Sequence, residues 1–160
     1  MAEALSPEFK ECLERGRIRR FASGRELAPQ ELKQAAQDLK AAGESYTAGG
    51  FKWSTIQSYY AMFHTARALL YQAGYRERSH FCLIVALREL YVSRRKVDLR
   101  FVEALQMGKS LRENADYYGR FSGEGAGKML ADARAFLRAA RALLLVEPCP
   151  VPFVRYELRA

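Results

Sequence analysis

Apolar positions recur at intervals of three and four along almost the whole chain, and sustained alternation is rare, so the pattern predicts an all-α protein. Ser6 is placed to cap a first helix with Pro7 at its first position and Glu8 and Glu11 near its positive end, running to Gly16. Residues 17–24 read as irregular. A second helix opens at Pro29 and runs to about Thr47, with Leu32, Ala35, Ala36, Leu39 and Ala42 on one stripe, and Gly49 and Gly50 end it. The third, from about Lys52 to Ala73, carries the core-facing stripe Ile56, Tyr59, Phe63, Ala66 and Leu70 and closes at Gly74. Ser79 caps a fourth helix over His80 to about Tyr91, which holds the apolar run Phe81–Leu87 and is therefore expected to be buried on most sides.

After a basic loop at Arg94, Arg95 and Lys96, Asp98 caps a fifth helix to about Tyr118. Its positions Phe101, Ala104, Gly108, Leu111, Ala115 and Tyr118 form the seam of a close helix pair. Glycine within a helix costs about 1 kcal/mol against alanine, and a tight crossing at Gly108 would compensate. Ser122 caps a last helix to about Val146, with Met129, Ala133, Phe136, Ala140 and Leu143 along one side. Pro148, Pro150 and Pro152 exclude helix from the tail, which is expected to be an extended arm. The sum is one domain over residues 1–160: an antiparallel, up-and-down bundle of about five to six helices. Its core spans about residues 30–146, preceded over 1–28 by a helix and an irregular segment and followed over 147–160 by the arm.

The 160 residues suit a single hydrophobic core, and a mean hydropathy of −0.27 is that of a soluble fold. No basic segment followed by an apolar stretch opens the chain, and its longest apolar run has 7 residues against the ~18 of a membrane span. A cytoplasmic protein without a membrane partner is expected. Cys12, Cys82 and Cys149 are odd in number and widely spaced, so neither a disulfide framework nor a zinc site is expected. The two histidines, His64 and His80, stand outside any metallohydrolase, phosphate-loop or dinucleotide motif, and no cofactor or metal is implied. Lys and Arg number 26 against 18 Asp and Glu, for a formal charge of +8. The first fifty residues are neutral, and the excess sits in the middle third, where Arg76, Arg78, Arg88, Arg94, Arg95 and Lys96 either track a phosphate backbone or form an ordinary solvated surface.

Three segments carry a resemblance. YYAMFHTARALL at 59–70, the SH pair at 79–80 and LRENADYYGRFS at 111–122 are together similar to the HEPN family, in the archaeal and bacterial branch. The likeness spans roughly residues 30–146. It implies a helical bundle that usually dimerises, encoded beside a minimal nucleotidyltransferase in toxin–antitoxin or defence systems. Many relatives are metal-independent ribonucleases that use Arg and His in an R-x(4 to 6)-H motif at the dimer interface.

Arg112 matches the motif arginine, but Tyr117, Tyr118 and Gly119 stand where the histidine should be, and neither His64 nor His80 has an arginine at the required spacing. A tyrosine, with a pKa near ~10, is a poor base at neutral pH. The resemblance therefore implies an RNA-binding dimer with degenerate or lost nuclease activity, or alternatively a non-enzymatic nucleotide-binding or protein-interaction module.

The candidate residues follow from that setting. Arg112 and Asp116, four apart on one helix, either grip phosphate at a dimer cleft or fix helix packing. Gln57, Tyr60, His64, Arg67 and Tyr71 form a polar edge on the third helix. Within that edge His64 would supply the missing acid or base, with Tyr60 and Arg67 contacting RNA or nucleotide; alternatively His64 is a satisfied histidine inside the bundle. His80, in a helix's first turn, is disfavoured as a cation by the helix dipole and reads as structural. Tyr117 is a further binding candidate, and Tyr117 and Tyr118 stand where partner nucleotidyltransferases modify a tyrosine in some of these systems. Packing at the end of the seam equally explains Tyr118.

Overall fold

Local capping chemistry sets most of the helix starts in the computed structural model, which describes residues 4–146. Helix α1, Pro7–Glu14, begins where Ser6 Oγ accepts from the Phe9 amide at 3.3 Å, and it buries Phe9 and Cys12. Gly16, at φ 64°, turns the chain into a strand, β1, Ile18–Arg20. This segment was expected to be irregular; instead it pairs antiparallel with β2, Tyr75–Glu77, in the register Ile18 to Glu77, Arg19 to Arg76 and Arg20 to Tyr75. Three residues are too few for alternation to stand out in sequence.

Helix α2, Gly24–Thr47, begins five residues before Pro29. The proline falls near the start, where its missing N–H removes a single intrahelical bond. At Gly24 the helix presses on the end of α3, Phe51–Gln72: a Cβ there would lie 2.3 Å from the Tyr71 carbonyl oxygen. Only glycine allows the start at this place. Helix α3 runs through the middle of the bundle and buries Ile56, Tyr59, Met62, Ala66, Leu69 and Leu70. Two of its buried hydroxyls are satisfied, Ser54 donating to the Ala42 carbonyl of α2 at 2.9 Å and Thr65 to the Ala61 carbonyl one turn back at 2.7 Å, whereas the buried Ser58 hydroxyl has no hydrogen-bond partner among the described residues.

Helix α4, His80–Leu87, starts at Ser79, whose Oγ accepts from the Cys82 amide at 3.2 Å. The expected single helix to Tyr91 widens over Arg88–Val92 into a π-helical turn, and the Tyr91 hydroxyl donates to the Leu69 carbonyl at 2.5 Å. Asp98 caps α5, Leu99–Tyr117, as its position predicted. A Cβ on Gly108 would lie 2.8 Å from Met62 Cε and 3.2 Å from Met129 Cε, so the glycine is the close crossing of α5 over α3 and α6, Gly123–Val146. Phe101, Ala104, Gly108 and Ala115 of the seam are buried, whereas Tyr118 is 70% exposed and lies outside it. The Ser122 hydroxyl accepts from Gly125, and Phe136 of α6 stacks on Phe101 with centroids 5.1 Å apart.

The fold is thus an all-α bundle of six helices with one small two-stranded ribbon among the described residues. Contrary to the reading of the cysteines, Cys12 and Cys82 form a disulfide with Cα atoms 5.8 Å apart, tying α1 to α4. Folding brings the two together across 70 residues of sequence, a proximity that cysteine spacing cannot reveal. The arm expected over residues 147–160 lies outside the described residues. No helix among the described residues is long and apolar enough to cross a membrane.

Candidate functional site

Tyr59 and Phe63 are one turn apart on α3, with ring centroids 6.3 Å apart and planes inclined by 29°. The Ser79 cap fixes His80 in the first turn of α4, where its ring lies parallel to Phe63 within 8° at 6.4 Å. His80 Nδ1 is 3.0 Å from the Tyr59 hydroxyl, the donor depending on the imidazole tautomer.

Arg112 approaches the same tyrosine from α5. Its guanidinium carbon is 5.2 Å from the Tyr59 ring centroid and 5.9 Å from that of Tyr60. Arg112 Nη1 lies 3.6 Å from Asp116 Oδ2, a loose pair within one helix face. The Arg112 side chain is 17% exposed, and its Nε is buried with no hydrogen-bond partner among the described residues. At the far end of the ladder the Arg67 guanidinium sits 4.4 Å from the Phe63 centroid and is held by Glu77 Oε1 at 2.8 Å from Nε and 2.6 Å from Nη2.

Burial depresses the His80 pKa below 6.5, with the cations Lys109 and Arg112 adding to the effect and Glu113 opposing it. The imidazole is therefore neutral at pH 7. Burial also pushes the Tyr59 hydroxyl up to about 12 against the pull of Arg112, so it stays protonated. His80 Nε2, the ring nitrogen away from Tyr59, is buried without a partner among the described residues.

Among the sequence candidates, Arg112, Asp116 and Tyr60 gather at this cluster. Tyr60 is 40% exposed and Tyr117, one residue beyond Asp116, is 71% exposed. His64 turns to α2 instead: Nδ1 is 2.6 Å from Glu31 Oε2 and Nε2 is 3.7 Å from Asp38 Oδ2. Those two carboxylates occupy the ring, and the expected meeting of His64 with Arg112 does not occur within the chain. Burial raises the Asp38 pKa above 3.8, with His64 and then Gln34 opposing the shift. Arg67 is likewise committed to Glu77, although it closes the same aromatic ladder. The histidine joined to Arg112 through Tyr59 is His80. Sequence spacing misses it because arginine and histidine come from different helices; the available signal was a capped His80 together with aromatic residues one turn apart at Tyr59 and Phe63. No group of three or more His, Cys, Asp or Glu side chains among the described residues is placed to hold a metal ion.

The bundle of six helices agrees with the class that the motifs suggested. The HEPN domain model matches residues 29–144, and the chain belongs to the HEPN domain family. A UPF0332 protein of Archaeoglobus fulgidus is 29% identical over 120 residues, covering 72% of this chain and 91% of that relative.

Proposed function

We propose that the chain binds RNA as a HEPN dimer with degenerate ribonuclease activity, serving as the toxin-like or defence-associated partner of a minimal nucleotidyltransferase in the cytoplasm. The observation that supports this best is the Arg112 guanidinium, preorganised on Tyr59 and Tyr60 with a loose carboxylate partner, Asp116, among the described residues. A planar, charged fork of this kind suits a phosphate oxygen pair, and the part-exposed Tyr60 ring beside it suits a stacked base. His80 is neutral and close, yet its Nε2 is buried, so it cannot take a proton from an exposed 2′-hydroxyl without a rearrangement. That burial also favours the second reading, a binding module for nucleotide or protein that performs no chemistry.

Arg112→Ala provides the test. Fluorescence anisotropy with tRNA is expected to show affinity reduced about tenfold, the ~1.4 kcal/mol scale of one charge-assisted phosphate contact, with cleavage near background in both proteins. Equal affinity of a folded Arg112→Ala variant would remove this site from RNA binding. Rapid cleavage by the unaltered protein would overturn the degenerate assignment.

A further inference from the structure

The two-stranded ribbon has a feature that the bundle does not require. Its register pairs Arg19 with Arg76, and the hydrogen bond from the Arg78 amide to the Arg17 carbonyl at 2.8 Å continues the pairing by one step. Side chains two apart on a strand point to the same face. Arg17, Arg19, Arg76 and Arg78 therefore share one face, as two directly opposed pairs, and all four are exposed. Ile18 and Glu77 take the other face: Ile18 is 1% exposed, and the Glu77 side chain, 5% exposed, is held by Arg67.

Like charges opposed across a strand pair destabilise it. Here none of the four arginines has a carboxylate within ion-pair distance among the described residues. Two of the four are held by interactions that leave their charge uncompensated. Arg19 Nε donates to the Gly16 carbonyl at 3.1 Å, and the Arg76 guanidinium rests 5.0 Å from the Phe21 ring centroid. The result is an array of four exposed arginines whose backbone positions lie about 5 Å apart across the strands and about 7 Å apart along them. An array of that spacing fits a run of phosphates, each shared between neighbouring guanidinium groups.

We propose that this ribbon docks the phosphodiester backbone of RNA, a second binding surface separate from the Arg112 cluster; it rests on the reading of the protein as an RNA binder. Sequence position hides the array, because Arg17 and Arg19 belong to the electrically neutral first fifty residues.

The test measures binding of a fluorescein-labelled 20-nucleotide single-stranded RNA over a series of KCl concentrations. Changing all four arginines to Gln is expected to lower affinity at least tenfold at low salt and to flatten the salt slope by roughly 0.7 for each phosphate no longer neutralised. Arg112→Ala should flatten it by no more than the share of a single phosphate. Unchanged affinity and slope in the folded fourfold variant would overturn the ribbon and leave the Arg112 reading intact, whereas failure of the unaltered protein to bind RNA would remove both.

Arg19→Glu is an independent check that does not depend on the fourfold variant folding. By converting a repulsive pair into an attractive one it is expected to raise Tm by about 1–2 °C while weakening RNA binding. A lowered Tm would remove the repulsion on which the inference stands.

Discussion

A methyl group added at Gly24 would sit 2.3 Å from backbone, while one added at Gly108 would meet the mobile ends of two methionines, the nearer at 2.8 Å. The second glycine was legible, since its cost inside a patterned helix demands a close neighbour. The first was not, because its neighbour Tyr71 lies 47 residues away and only the fold brings them together. His80 carries the same lesson for chemistry. Its cation is disfavoured, as the reading of His80 as structural expected, but through burial and the nearby Lys109 and Arg112, which come from elements that local sequence does not connect. A pH dependence follows. Because the folded pKa of His80 lies below its unfolded value, the folded state binds fewer protons between the two. The associated stability is present above about pH 6.5 and is lost as pH falls toward the folded pKa. Asp38, whose carboxyl is shifted upward, acts in the opposite sense. Urea unfolding at pH 5 and pH 7.5 is expected to show a smaller acid loss for His80→Gln than for the unaltered protein; equal losses would exclude His80 as a contributor.

At the level of elements, the starts of α1, α4, α5 and α6 were readable because a single side chain, Ser6, Ser79, Asp98 or Ser122, accepts a hydrogen bond from an amide of the first turn. Those local bonds need no tertiary information. The ribbon and the disulfide do: one joins segments nearly sixty residues apart, and the other closes a separation of 70. Cys12–Cys82 has a clear place in the architecture, since it ties α1 to α4 two residues beyond His80. A disulfide typically adds about 2–4 kcal/mol, mainly by restricting the unfolded chain. Cys12→Ser is therefore expected to lower the unfolding free energy by that amount, and reduction of the unaltered protein with dithiothreitol should reproduce the loss. Alkylation in denaturant under non-reducing conditions should leave Cys12 and Cys82 unlabelled. Labelling of all three cysteines would contradict the cross-link.

Across the whole molecule, folding redistributes both charge and apolar surface relative to the chain. Arg76 and Arg78 of the basic middle third share a face with Arg17 and Arg19 of the neutral first fifty residues, and the close crossing expected at Gly108 is filled within the chain by Met62 and Met129. A dimer must then use another surface. Phe81 on α4, Tyr117 and Tyr118 at the end of α5, and Phe121 just beyond are 64%, 71%, 70% and 51% exposed. They flank the elements that carry His80 and Arg112. Four such aromatic side chains offer roughly 500 Å² of the ~800 Å² that each partner contributes to a standard interface. Light scattering at micromolar concentration is therefore expected to give twice the 18.2 kDa chain mass. Phe81→Glu combined with Tyr118→Glu should give a monomer with unchanged helical circular dichroism, because neither side chain belongs to the core. If the RNA cleft is shared between subunits, that monomer also loses affinity without any change to Arg112 or to the ribbon. A dimer that persists in the double variant would place the two-fold axis elsewhere, and a monomeric unaltered protein would confine the RNA site to the Arg112 cluster and the ribbon of a single chain.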